Sequence, residues 1–371
     1  FEGEDRPGGM LTCAIPSYRL PRAVIEKEID SLLDENITVE CGKVFGRDIE
    51  IDGLLEGGFQ AVLLAIGAHK SKRLRLENED AEGVFPSIEF LKSYNLRGRR
   101  PAWGRVGVIG GGNSAIDAAR MALRLSEVQS VTILYRRTRE EMPAFAEEIE
   151  AADQEGIEIQ TLVSPVRVLT QDEALSGLEC IRNELGDADA SGRRRPVPVP
   201  GTEHVIELDT LIVAIGEDTG MDVISPACAN RIEITERNTV RIDPATLLTN
   251  RPGVFAAGDV VRGPNTVVEA IQDGKQAARS ILSYLKKEPL HQPAILRKPR
   301  VYVEPRGDGE GLDGAERVET PRAAAEWRRR NFAEVEVSLS PGEAQREARR
   351  CLRCDLEFTS PSAGNGKKPQ S

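Results

Sequence analysis

Short, almost wholly apolar runs recur along the chain at residues 61–68, 106–109, 131–135, 208–216 and 253–257, and most of them stop on or against a glycine. Runs of this length without polar alternation predict strands buried on both faces, as in a parallel sheet covered by helices. Two of them end in the same tripeptide, Ala65-Ile66-Gly67 and Ala214-Ile215-Gly216, which suggests two related units in one chain. Helical spacing takes over between the runs. Val24, Ile29, Leu32 and Leu33 predict a helix over residues 22–35, with a short strand at 37–40 after it. Residues 74–105 are polar and turn basic at Arg97, Arg99 and Arg100, so they read as the crossing between the units. Gly186, Asp187, Gly192 and nearby prolines make 185–205 an exposed hairpin or loop, and Arg193, Arg194 and Arg195 there a solvated face.

The run at 106–109 leads into Gly110, Gly111, Gly112, Asn113, Ser114 and Ala115, then an alanine-rich helix. This is G-x-G-x-x-A in its proper context, with a strand before, a helix after and a second strand at 131–135. Gly110 permits the tight turn, Gly112 lets the backbone approach a pyrophosphate, and Ala115 lets helix and strand pack closely. The free N–H groups of the helix start favour phosphate. Arg136 and Arg137 follow the second strand, about 24 residues after Gly112, where an arginine accommodates the 2′-phosphate of NADP. A solvated charge run at a strand end is the other reading of that pair.

A second apolar run ends in Gly258-Asp259, and a loop leads to a helix that starts at Thr266, Val267 and Val268. Gly258 permits close backbone approach. Asp259 can accept from a ribityl hydroxyl, and the helix start would stabilise negative charge on a reduced flavin. Glu2 stands where an acid would close the second strand of a βαβ unit and hold a ribose, although no strand and glycine loop precede it in this sequence.

With 371 residues, two domains are expected. A net charge of −11 argues against nucleic acid or an anionic membrane as partner, and no apolar run reaches membrane-spanning length. Six cysteines are too few for a disulfide scaffold and fit a reducing, cytoplasmic setting. Cys13, Cys41, Cys180 and Cys228 stand apart and read as small core residues, and His69, His204 and His291 have no ligand spacing. From 289 onward Pro, Gly, Arg and Glu dominate. Thr320-Pro321 predicts one helix start, Ser340-Pro341-Gly342-Glu343 a capping box for another, and the last dozen residues disorder. Cys351 and Cys354 at i and i+3 make half of a zinc or iron–sulfur site, or an inert pair.

In this order the motifs resemble the small (β) subunit of NADPH-dependent glutamate synthase and its relatives over about residues 1–285. The resemblance rests on Glu2 with Pro7-Gly8-Gly9-Met10-Leu11, Ile15-Pro16 with Tyr18-Arg19-Leu20-Pro21, Gly110 to Ala115, Tyr135-Arg136-Arg137 with Glu141-Met142-Pro143-Ala144, and Gly253 to Asp259 with the helix after it. It implies an α/β fold of two doubly wound, Rossmann-like domains, an NADP domain inserted into a split FAD domain. Residues 1–96 and 218–288 would form the FAD domain, 97–217 the NADP domain, and 289–371 an extended tail. Glu2, Gly9, Leu11, Gly216, Gly258, Asp259, Thr266, Val267 and Val268 join the glycine-loop residues and arginines as cofactor contacts. The FAD domain's first strand, loop and helix are not in this sequence, so the resemblance implies a C-terminal fragment that binds FAD poorly by itself. The implied function is hydride transfer from NADPH to FAD and electron transfer to iron–sulfur centres, with an iron–sulfur or large catalytic subunit as partner. The cofactors carry that chemistry, so no side chain is named as catalytic. A disulfide reductase of the same fold and a non-enzymatic NADP-sensing or scaffold subunit are the alternatives.

Overall fold

The computed structural model describes residues 1–188, 192–221, 231–290, 300–301, 316–349 and 357–358. It divides into two compact units, one of residues 1–292 with 324–335, the other of 293–323 with 336–371.

The first unit opens with α1 (Met10–Cys13), α2 (Arg22–Leu32), α3 (Ile51–Glu56), β1 (Val62–Leu64) and β2 (Lys70–Ser71). Next come β3 (Val84–Pro86), α4 (Ser87–Arg97), β4 (Gly104–Ile109), α5 (Asn113–Leu123), β5 (Val128–Tyr135), α6 (Ala146–Gln154) and β6 (Glu158–Thr161). An antiparallel stretch follows, of β7 (Val163–Gln171), β8 (Ala174–Ala188), β9 (Arg194–Pro198) and β10 (His204–Glu207). Then come β11 (Thr210–Val213), β12 (Glu217–Asp218), β13 (Val254–Ala256), α7 (Asp259–Arg262) and α8 (Val267–Leu285). The returning segment holds α9 (Ala325–Arg328), and the second unit holds α10 (Pro341–Arg349).

The glycine-loop strand β4 sits at the centre of a five-stranded parallel sheet of order β3-β11-β4-β5-β6. Its interior is built from Val106, Val108, Val131, Ile133 and Ile212, with the alanine-rich face of α5 (Ala115, Ala118, Ala119, Ala122) packed against them. Small side chains on that face let helix and strand approach closely, which is what the alternation of alanine with Ile116 and Met121 provides. The second "Ala-Ile-Gly" run supplies β11, beside β4 in this sheet, whereas the first supplies β1, which pairs in parallel with β13.

Several elements differ from expectation. The apolar stretch at 37–40 forms no strand; Ile37 and Val39 are exposed, and residues 40–43 pair with 2–4 through Glu2 N–H to Glu40 O, Gly42 N–H to Glu4 O and Lys43 N–H to Glu2 O. Only three residues of the run at 61–68 are strand, and Leu63 is 38 % exposed, so one face of β1 is open. The supposed crossing at 74–105 contains α4, whose Ile88, Phe90 and Leu91 are fully buried; three apolar side chains in one turn were masked by the polar residues around them. The region at 185–205, by contrast, takes the hairpin alternative of its reading, since β9 and β10 both pair antiparallel with β8, and Arg194 and Arg195 are exposed. In the second unit, Thr320-Pro321 does not start a helix; the helix begins at Ala325, in the segment that returns to the first unit. Ser340 and Glu343 do form the capping box of α10: the Ser340 N–H and hydroxyl both donate to the carboxylate, and the Glu343 N–H donates back. No helix among the described residues is long and apolar enough to cross a membrane.

Candidate functional site

The glycine loop is shaped by what surrounds each glycine. At Gly110 (φ 145°) a Cβ would lie 2.2 Å from the Ala214 carbonyl oxygen, and at Gly111 one would lie 2.5 Å from the Tyr135 ring. Side chains at either position would push β4 away from β11 or β5. Gly112 differs: a Cβ there would meet nothing nearer than Pro143 at 4.0 Å, so its Cα faces open space at the cap of α5. Open space in front of a glycine, beside free helix N–H groups, suits close approach of a pyrophosphate. Asn113 turns the other way and accepts from the Phe145 N–H at 3.0 Å. The Ser114 hydroxyl donates to Glu217 Oε1 at 2.8 Å. Ala115 is fully buried.

The two arginines after β5 part company. Arg136 is exposed. Arg137 is buried, and its Nε donates to the Arg194 carbonyl at 2.7 Å, so it ties β5 to β9. Gly216, at φ 115°, turns the chain out of the sheet into β12, which pairs antiparallel with β2.

The second constellation lies at the ends of β1 and β13. Gly258, at φ 74°, caps α7 and is held by Asp273, whose carboxylate accepts from the Gly258 N–H and from Arg262. A Cβ at Gly258 would find only Ala270, at 3.7 Å. Burial pushes the Asp259 carboxyl up, against the Asn265 N–H that bonds it, and Glu217 adds to the rise. Thr266 and Glu269 form a reciprocal capping box at the start of α8, and Val267 and Val268 stand exposed, Val268 at 74 %. Glu2 accepts from the Glu4 N–H at 2.9 Å. Gly8 (φ 120°) and Gly9 (φ 52°) start α1, and Arg22 gathers the Leu11 and Ile15 carbonyls.

Two clusters were not legible from sequence. In the first, Glu4, Cys13 and His69 bring their ligand atoms within 4.8 Å of one another, correcting the reading of that cysteine and histidine as isolated. Lys92 binds the Glu4 carboxylate at 2.5 Å, which opposes a metal ion there. Burial pushes the Cys13 thiol up to about 11 and the His69 imidazole down to about 4, so both are neutral at pH 7. In the second, Glu155, fully buried, accepts from both Arg120 and Arg124, and the two guanidiniums lie 4.9 and 4.0 Å from the centroid of the buried Tyr18 ring. Arg19 clasps Asp117 of α5 at 2.8 and 2.9 Å. The returning segment closes over this cluster: Arg124 donates to the Asn331 carbonyl, Arg328 to Gln154, the Val335 N–H to the Tyr18 carbonyl, and Phe332 stacks on Tyr94 at 4.2 Å. Charged residues spread over positions 19 to 328 have no sequence signature, although Asp117 and Arg120 at helical spacing on an otherwise apolar face are a trace of it. Cys228, Cys351, Cys354 and His291 lie outside the described residues.

Comparison with known proteins agrees with this geometry. The family model "Pyridine nucleotide-disulphide oxidoreductase" matches residues 10–274. The chain is 39 % identical over 99 % of its length to the NADP(+)-dependent formate dehydrogenase subunit beta of Moorella thermoacetica, covering 52 % of that protein. It is 32 % identical to the glutamate synthase [NADPH] small chain of Escherichia coli over 77 % of its own length and 63 % of that chain's. The chain thus spans about half to two thirds of the length of these curated relatives. Among solved structures, Mycobacterium tuberculosis FprA in complex with NADPH superposes with a TM-score of 0.62 at 18 % identity over 77 % of both chains, and Lactococcus lactis thioredoxin reductase with 0.54 at 20 % over 77 % of this chain and 90 % of that one. These two show a shared fold. With its parallel sheet, glycine loop and matched sequence, the chain belongs to the pyridine nucleotide-disulphide oxidoreductase family and is glutamate synthase small-chain-like.

Proposed function

We propose that this chain is the nucleotide-binding part of a cytoplasmic flavoprotein subunit that takes electrons from NADPH through FAD to iron–sulfur centres of a partner subunit. The open face of Gly112 at the cap of α5 carries the reading, because it is where a pyrophosphate can approach the backbone. NADPH would lie along Gly110, Gly112, Asn113, Ser114 and Ala115, with Arg136 at its 2′-phosphate and Gly216 beneath the far end. Residues 97–217 would then be the NADP domain, inserted between FAD-domain parts at 1–96 and 218–288.

FAD would be held by Glu2, Gly9, Leu11, Gly258, Asp259 and the start of α8. The residues present fit it: the backbone at Gly258 is unobstructed, Asp259 offers a half-buried acceptor, and Val267 and Val268 expose an apolar surface beside a helix N-terminus. When bound, the flavin would supply the hydride acceptor, while the side chains around it orient and shield it. A partner subunit is supported by the subunit names of the relatives. A disulfide reductase is the weaker reading: among the described residues Cys13 and Cys180 are buried free thiols, pushed up to about 11 and about 12, and Cys41, exposed where a core residue was expected, has no second cysteine near it in sequence.

Gly112→Val tests the site. The new side chain has room, so the melting temperature should hold, and it fills the approach, so NADPH affinity should fall by about 100-fold or more. Unchanged NADPH affinity, measured by calorimetry, would place the nucleotide elsewhere.

A further inference from the structure

Glu217 stands one residue past the Gly216 turn and opens β12. Its position is set by backbone pairing, since Glu217 lies opposite Ser71 in the antiparallel β2–β12 ribbon. From there its carboxylate reaches the second residue of α5 and accepts from the Ser114 hydroxyl at 2.8 Å. Its negative charge also bears on Asp259, the first residue of α7. One carboxylate is therefore coupled to both constellations, the loop that faces the pyrophosphate and the loop that faces the flavin. A dinucleotide with its phosphates on α5 and its reactive ring towards Asp259 would run beside this carboxylate.

We propose that Glu217 faces the nicotinamide ring and discriminates between its oxidation states. The inference rests on the reading of the glycine loop as the NADPH site. The ring is neutral in NADPH and cationic in NADP+, while phosphates, riboses and adenine are the same in both. A carboxylate against the ring favours the cation and leaves the common parts unaffected. Glu217 thus stabilises the oxidised nucleotide, the state towards which hydride loss moves the ring. No partner for the phosphates is required of it, and its bond to Ser114 holds the carboxylate in place.

The test is a pair of titrations on the 371-residue chain, with NADP+ and with NADPH, in the wild type, Glu217→Gln and Ser114→Ala. Glutamine keeps the shape and can still accept from Ser114, so only the charge is lost. Glu217→Gln should raise the ratio of the NADP+ to the NADPH dissociation constant about tenfold, equivalent to about 1.4 kcal/mol. Ser114→Ala, which keeps the charge, should move that ratio by less than about threefold. A ratio unchanged in Glu217→Gln, whatever happens to the separate affinities, would overturn the proposal and leave Glu217 as a partner of Ser114 alone. A wild-type chain that bound neither nucleotide would overturn the glycine-loop reading as well.

Discussion

Arg136 and Arg137 follow the same strand, yet only Arg136 is free of the protein interior, while Arg137 is spent on the Arg194 carbonyl. The two should therefore separate by mutation. Arg136→Ala should weaken NADPH by about 1.5–3 kcal/mol and leave NADH unchanged, as for one charge-assisted contact to a phosphate. Arg137→Ala should lower the melting temperature and move both coenzymes alike. Equal losses of NADPH and NADH in Arg136→Ala would show that it does not read the 2′-phosphate. Asp117 gives a pH signature. Burial pushes its carboxyl up to about 6 from an ordinary value of 3.8, against the pull of Arg19. The folded chain then holds a proton that the unfolded chain releases, so this group's contribution to stability is greatest below pH 3.8, falls as pH rises to about 6 and is flat above. The stability difference between wild type and Asp117→Asn should shrink across that window by at most about 3 kcal/mol, read from urea unfolding at each pH. A difference that grows with pH would mean that Arg19 outweighs burial.

At the scale of elements, α5 does two things at once. Its N-terminal turn offers the glycine loop, and Asp117 and Arg120, one and two turns on, with Arg124 at its C-cap, build the buried ionic cluster. Glu155 is the hub of that cluster; burial pushes its carboxyl up, and the hydrogen bonds and charges of Arg124 and Arg120 outweigh that and hold it below its ordinary value. Glu155→Gln would leave two buried guanidiniums short of a charge, and about 3–5 kcal/mol of stability should be lost, measured as a shift in the urea midpoint. A loss under about 1 kcal/mol would mean that water or Glu148 takes over. The glycine loop was legible in the sequence because Gly110, Gly112 and Ala115 stand at fixed short spacing between a strand and a helix, and the β11 run whose Ala214 blocks Gly110 carries its own apolar signal. The α8 cap was legible for the same reason. The pairing of Arg19 with Asp117, of Lys92 with Glu4 and of Phe332 with Tyr94 was not, because each joins residues far apart through side chains that are ordinary on any surface. Strand 37–40 failed for the converse reason: an apolar pattern predicts a strand only where a partner exists to bury it.

Across the whole molecule, the two proposed nucleotide sites rest on unequal supports. The glycine loop sits at the middle of five strands, whereas Gly258 and Asp259 end a sheet that has two strands among the described residues. Among the described residues β1 keeps an unpaired edge, β13 has on its far side only the bridge from Leu248 to Phe255, Leu63 is open, and Val268, Ile271, Leu282 and Leu285 of α8 are exposed. Two strands are marginal as a platform. The 371-residue chain should therefore bind NADPH while retaining little FAD, as judged by flavin absorbance that co-elutes in gel filtration. One tightly held flavin per chain would show that the pair of strands with α7 and α8 suffices.

The returning segment, 324–335, is in effect an intramolecular ligand of the surface formed by Tyr18, Tyr94, Arg124 and Gln154. Because it belongs to the same chain, its occupancy is governed by an effective concentration and not by the concentration of a free peptide. Contacts too weak to hold a free twelve-residue peptide are then enough to hold this one. The same arithmetic works in reverse: whatever binds the second unit and draws on its chain competes with that occupancy, and the guanidinium and aromatic faces beneath would be uncovered in proportion.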